Sequence, residues 1–136
     1  MINIIVVTHG EFGAYLIEAA EGIVGPQEEG VVSIGISPRL SLKEVGGRLS
    51  EAVSALNTND GLVIMTDMPG GTPFNVALPL VKDKADAHVL SGVNLYMLVT
   101  AFNCRRNGTA AELVKKVLSA GKRSISDIKT EFLERI

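Results

Sequence analysis

The amino-acid sequence predicts an α/β domain: an open, mostly parallel sheet with helices on both faces. Three observations carry that reading. Runs such as Asn3-Ile4-Ile5-Val6-Val7-Thr8 and Gly61-Leu62-Val63-Ile64-Met65-Thr66 are apolar without alternation, which suits strands covered on both sides. Each run is followed by apolar residues at helical spacing. The strand-to-helix turns are rich in Gly, so the chain reads as βα units joined by right-handed crossovers.

The elements follow in order. The first strand stops at His9-Gly10, and Phe12, Leu16, Ala19, Ala20 and Ile23 mark a helix that Gly25-Pro26 ends. Val31 to Ile36 is a second strand, broken by Ser37-Pro38. Ser41-Leu42-Lys43-Glu44 is a capping box. It opens a helix with Leu42, Val45, Leu49, Ala52, Val53 and Leu56 on its apolar face. Gly46-Gly47 inside it costs on the order of 1 kcal/mol per Gly and suggests close packing. Asn57 to Asp60 is a turn. After the third strand comes Asp67-Met68-Pro69-Gly70-Gly71, and then a helix from Pro73 to about Val81, with Thr72 as its N-cap. Ala87 to Ser91 is a short fourth strand. Gly92-Val93-Asn94 leads into a helix with Leu95, Leu98, Val99 and Phe102. Thr109-Ala110-Ala111-Glu112 is a second capping box, opening a helix for which Gly121 is the C-cap. The tail from Ser124 alternates weakly and reads as an edge strand or a short helix.

Length and composition narrow the function. A chain of 136 residues is expected to form one domain spanning 1–136, burying roughly two-thirds of its unfolded surface. Aromatic residues are only 4%, which disfavours sites that stack bases. Net charge is -2 with no Lys/Arg cluster, so nucleic acid and anionic membranes are not expected partners. Cys104 is the only cysteine and reads as a small buried residue, consistent with a reducing cytoplasm. Neither a signal peptide nor a run of the ~20 apolar residues that a span requires is visible. Two His and one Cys, widely spread, offer no metal-ligand spacing, and no cofactor motif is present.

In open α/β sheets, ligands bind at the carboxyl ends of the strands. His9, Asp67 and Asn94 all lie just past a strand, on that one edge. If the first and third strands are neighbours, the Asp67 carboxylate reaches the His9 ring, fixes its tautomer and leaves the other nitrogen basic. The amides of Gly70, Gly71 and Thr72 start a helix whose positive end favours anions. A nucleophilic nitrogen, an orienting carboxylate and an anion cradle outline a phosphohistidine site. Each part has a plainer reading. His9 can be the polar cap of a turn, Asp67 an Asx-turn residue, and Gly70-Gly71-Thr72-Pro73 a tight turn before a helix. Glu11 reads as a solvated first-turn acid, and His88, with no partner in view, as structural.

These residues resemble a known family. Thr8-His9-Gly10, Asp67-Met68-Pro69-Gly70-Gly71-Thr72-Pro73-Phe74-Asn75 and Ser91-Gly92-Val93-Asn94-Leu95 followed by Met97-Leu98 are similar to the IIA component of the mannose-type sugar phosphotransferase system. The likeness runs over nearly the whole chain. It implies that His9 takes a phosphoryl group from the phosphohistidine of HPr and passes it to a IIB protein. It implies that Asp67 orients His9, and that Gly70, Gly71 and Thr72 hold the phosphate. It also implies a cytoplasmic homodimer that exchanges a C-terminal strand, which would account for the ambiguous tail. Met97, Leu98 and Phe102 then belong either to the dimer contact or to the subunit core. The chain reads as a stand-alone IIA without a fused IIB domain. Two other functions compete: a regulatory module of the same fold that binds partners according to its phosphorylation, and a phosphoribosyltransferase-like enzyme, for which Thr66 stands where a second acid is expected.

Overall fold

The computed structural model describes residues 1–133. Four strands, β1 (Asn3–His9), β2 (Val31–Ile36), β3 (Leu62–Thr66) and β4 (Ala87–Leu90), form one sheet in the order β2-β1-β3-β4. All the pairings are parallel. The chain steps from β1 outward to β2, then crosses back to place β3 on β1's other side. The direction of winding therefore reverses at β1, and the crevice between the carboxyl ends of β1 and β3 is the topological switch point. The register puts Val7 beside Thr66, so the residues that follow, Thr8-His9 at the end of β1 and Asp67 just past β3, lie side by side.

Five helices cover the sheet: α1 (Phe12–Val24), α2 (Leu42–Ala55), α3 (Thr72–Val81), α4 (Leu95–Cys104) and α5 (Ala110–Arg123). Because side chains alternate along a strand, β1 and β3 feed two separate cores. Ile4, Val6, Val63 and Met65 pack under α1, α4 and α5. Ile5, Val7, Leu62 and Ile64 pack under α2 and α3, with Ile34 and Ile36 of β2. All eight are almost fully buried, and each such side chain contributes roughly 1.5–3 kcal/mol. Met97, Leu98 and Phe102, which the resemblance left open, belong to the first core.

The helix ends show where the sequence reading holds and where it shifts. The Ser41–Glu44 capping box forms in full. At α5 only half of the second box forms: Thr109 Oγ1 accepts the Glu112 N–H at 3.1 Å, but the Glu112 carboxylate takes the Thr109 hydroxyl instead of its N–H. The N-cap of α3 is Gly71, not Thr72; the helix starts one residue early and Pro73 falls in its second position. That placement is equally free of cost, because no first-turn N–H has an intrahelical partner. Gly121 is not a C-cap. It lies inside α5, where a Cβ would come within 2.6 Å of Met97 Cγ, and it serves the close packing of α4 on α5. By contrast, Gly46 and Gly47 face open space, so close packing does not explain them. Leu42, Phe12 and Ile23 are exposed rather than part of their helices' buried faces. On α1 the inward positions are Gly13, Leu16, Ile17 and Ala20.

The opposite, amino edge is closed by a residue that the sequence did not flag. Arg105 follows α4 and is buried. The Ile2 N–H donates to the Arg105 carbonyl at 2.9 Å, and Arg105 Nε donates back to the Ile2 carbonyl at 3.0 Å. Arg105 Nη1 donates to Gln27 Oε1. After α5 the tail forms a π-helical turn over Lys129–Leu133 rather than a strand within the same chain, and Ile125, Ile128, Phe132 and Leu133 stand exposed on it. The last three residues of the tail lie outside the described residues.

Candidate functional site

Strand β1 delivers His9 to the carboxyl edge and β3 delivers Asp67 beside it. His9 Nδ1 lies 2.7 Å from Asp67 Oδ2, and the His9 backbone N–H donates to the same oxygen at 2.9 Å. The other carboxylate oxygen accepts the Met68 N–H at 2.9 Å. Asp67 is 12% exposed at its side chain and His9 50%, so the carboxylate is the sheltered partner and the ring faces outward. Burial pushes the Asp67 carboxyl up. The His9 N–H, the His9 ring and the Met68 N–H outweigh it and hold the group below the usual carboxylate range. An ionised Asp67 accepts only, so the proton between the two groups sits on Nδ1 and the lone pair of the neutral ring is on Nε2.

The Cε1–Nε2 edge of the ring lies beside the start of α3. A methyl placed on Gly71 would lie 3.2 Å from His9 Cε1 and 3.7 Å from Nε2. Gly70 turns the chain with φ +77, a conformation that suits Gly. No side chain caps α3, which leaves the amides of its first turn, Thr72 among them, turned to the same edge.

Asn94, the third residue expected at this edge, has a different task. Its Oδ1 accepts the Met97 N–H at 3.1 Å, which makes it the N-cap of α4. The residues before it stitch the loop to β3: the Gly92 N–H donates to the Asp67 carbonyl at 3.1 Å and the Val93 N–H to the Thr66 carbonyl at 3.0 Å. Gly92-Val93-Asn94 therefore steadies the backbone that carries Asp67. Thr66 is buried and donates its hydroxyl to the Leu90 carbonyl. His88, read as partnerless, has a partner: Nε2 lies 3.4 Å from Asp86 Oδ1.

Comparison with known proteins gives the family of the chain. The family model EIIA-man, described as the PTS system fructose IIA component, matches residues 3–118. The chain belongs to this family. It is 30% identical over 135 residues to the mannose-specific EIIAB component of Escherichia coli K12, covering 98% of this chain and 42% of that protein. The chain thus spans about two-fifths of the length of that relative. The EIIA crystal structure from Streptococcus agalactiae superposes with a TM-score of 0.86 at 36% identity, over 96% of this chain and 99% of that one. A IIA protein associated with the fucose utilization operon of Streptococcus pneumoniae shares the fold, with a TM-score of 0.87 at 23% identity over 96% and 95% of the two chains. EIIA-man membership supports a phosphocarrier role in a sugar phosphotransferase system, within the transferase class. No helix among the described residues is long and apolar enough to cross a membrane.

Proposed function

We propose that His9 is the phosphoryl carrier of this IIA component. It accepts the group from the phosphohistidine of HPr and passes it to a IIB protein in phosphoenolpyruvate-dependent sugar uptake. The observation that supports this reading is the 2.7 Å contact that commits Nδ1 to Asp67 while Nε2 faces outward beside an uncapped helix start. His9 Nε2 attacks phosphorus in line. The new N–P bond forms as the donor's N–P bond breaks, and the donor imidazole leaves with the electron pair. The Nδ1 proton stays between His9 and Asp67 throughout. The loose, charged transition state and the phosphoryl oxygens are held by the amides of Gly70, Gly71 and Thr72 and by the Thr72 hydroxyl. A docked partner excludes water from the N–P bond. The chain works in the cytoplasm as one IIA domain over 1–136, paired as a homodimer. Support for the dimer is the exposed Ile125, Ile128, Phe132 and Leu133 on the tail, of which Ile128 and Phe132 line one hollow with the exposed Tyr96 of α4.

Incubation with phosphoenolpyruvate, enzyme I and cognate HPr is expected to place one acid-labile, alkali-stable label on His9, and His9→Ala to abolish it. A wild-type chain that takes no label from phospho-HPr refutes the reading. Sedimentation of the full chain tests the dimer: a monomer at tens of micromolar, unaltered by Phe132→Asp, would sink it.

A further inference from the structure

The ring of His9 is half exposed, so packing does little to hold it. Its aim depends on Asp67 at one nitrogen and on the backbone beneath. That backbone turns sharply: the Gly10 N–H donates to the Ile36 carbonyl at 2.8 Å, and Gly10 itself has φ +61. The residue that controls the turn lies before it. Thr8 is 1% exposed, and its hydroxyl is used twice. It donates to the Gly10 carbonyl at 3.3 Å and accepts the Gly13 N–H at 3.0 Å. Glu11, at the N-cap of α1, makes no side-chain cap bond. The cap of α1 comes instead from Thr8, on the strand side of the histidine. One hydroxyl thus ties together the strand end, the carbonyl just past His9 and the first turn of the next helix. Gly13 is pressed against it: a Cβ there would lie 2.9 Å from Thr8 Oγ1 and 3.0 Å from its Cγ2.

We infer that Thr8 is a positioning residue for His9, holding the His9–Gly10 turn against α1 so that the ring stays on Asp67 and presents Nε2. Its effect on transfer rate rests on the reading of His9 as the carrier; its effect on the ring does not. Thr8→Val keeps the shape and removes both hydrogen bonds. Thr8→Ser keeps the hydroxyl. Gly13→Ala retains the threonine but shifts its side chain with the added methyl.

The test uses the full chain and three readouts: melting temperature, the ring nitrogen NMR signals of His9 across a pH titration, and the labelling rate at saturating phospho-HPr. Thr8→Val is expected to shift the tautomer balance of His9 away from the Nδ1–H form and to slow labelling by about tenfold, the scale of a misplaced or unsupported reacting group. Thr8→Ser should stay within about twofold of wild type. Gly13→Ala should move the His9 signals in the same direction, and it decides the matter if Thr8→Val does not fold. Unaltered His9 signals in a folded Thr8→Val chain, even one with a lowered melting temperature, would make Thr8 a structural residue only and overturn the inference; so would unaltered signals in Gly13→Ala. If the wild type takes no label while Thr8→Val still moves the His9 signals, the carrier reading falls and the positioning role stands.

Discussion

His9 and His88 each stand beside an aspartate, at opposite edges of the same sheet. Asp67 is the more sheltered carboxylate, 12% exposed at its side chain, and its oxygens gather the His9 ring, the His9 N–H and the Met68 N–H. Two of these three partners belong to His9. Asp86 is 36% exposed and spends its oxygens on the N–H groups of Ala110 and Ala111, at 2.8 and 3.1 Å, where α5 begins. His88 meets it only at 3.4 Å, at the outer limit of a hydrogen bond. For both carboxyls, burial pushes the pKa up and hydrogen bonds hold it below the usual range. The same pair of residue types thus makes two different devices. In one the carboxylate orients a ring; in the other it caps a helix and the ring is a bystander. What separates them is where the carboxylate's hydrogen bonds come from, the histidine's own peptide or a distant helix.

The comparison breaks most sharply at Asp67. Asp67→Asn offers the ring an amide that can donate as well as accept, which no longer enforces the Nδ1–H tautomer. Labelling of His9 from phospho-HPr is expected to slow roughly 10- to 100-fold; a change under twofold would show that Asp67 does not orient the ring. Gly71→Ala comes next. The backbone there, at φ -87, accepts Ala, and losing a Gly N-cap costs no more than about 1 kcal/mol. The methyl presses on His9 Cε1 at 3.2 Å and takes up space beside Nε2, so labelling should fall severalfold in a chain that melts almost normally; a full rate would mean that phosphorus reaches Nε2 from another side. Asp86→Ala sharpens the contrast. Removing its two bonds to the first turn of α5, which Thr109 still caps, should cost about 1 kcal/mol in urea unfolding with no loss of labelling rate, while His88→Gln should stay within about 0.5 kcal/mol. A labelling defect in either would dissolve the distinction between the two edges. The sign of the pH dependence is common to both carboxyls. Their folded pKa values lie below the unfolded ones, so their stabilisation is present above about pH 4 and is lost as the pH falls through the folded values.

Much of this was legible in the residues. Unbroken apolar runs marked β1 and β3, and strand ends named His9 and Asp67, because a buried run that stops at an ionisable residue leaves few places for that residue but the edge. Their neighbourhood in space was the part left conditional, since strand order depends on which face each crossover helix takes. On the inward face of α1, Leu16 and Ala20 are where the pattern puts them, but Phe12 and Ile23 are exposed and Gly13 is buried there instead; an apolar pattern cannot register a residue whose role is to have no side chain. Thr72 reads as the N-cap once Pro73 is set at the first helical position, whereas the helix starts at Thr72 and Gly71 is its cap. Asn94 was placed with the site by position alone, and its side chain turned out to be committed to Met97. Arg105 was overlooked because a charged residue after a helix normally points to water, and only the closing of the amino edge draws it in. The signal for Thr8 was present: a hydroxyl ending a buried apolar run needs partners, and the turn past His9 holds them.

The paired bonds between Ile2 and Arg105 have a consequence for how the molecule breathes. They join residues 103 apart in sequence, and the strand they fasten is the one between β2 and β3. Local fluctuation cannot free the Ile2 amide without detaching β1 from the end of α4, so that amide should exchange with deuterium only when the whole domain opens. Gly70 lies exposed at the other edge, and its amide exchanges without such an event. The loop beside His9 can therefore adjust to a visiting protein on a frame that opens only as a unit.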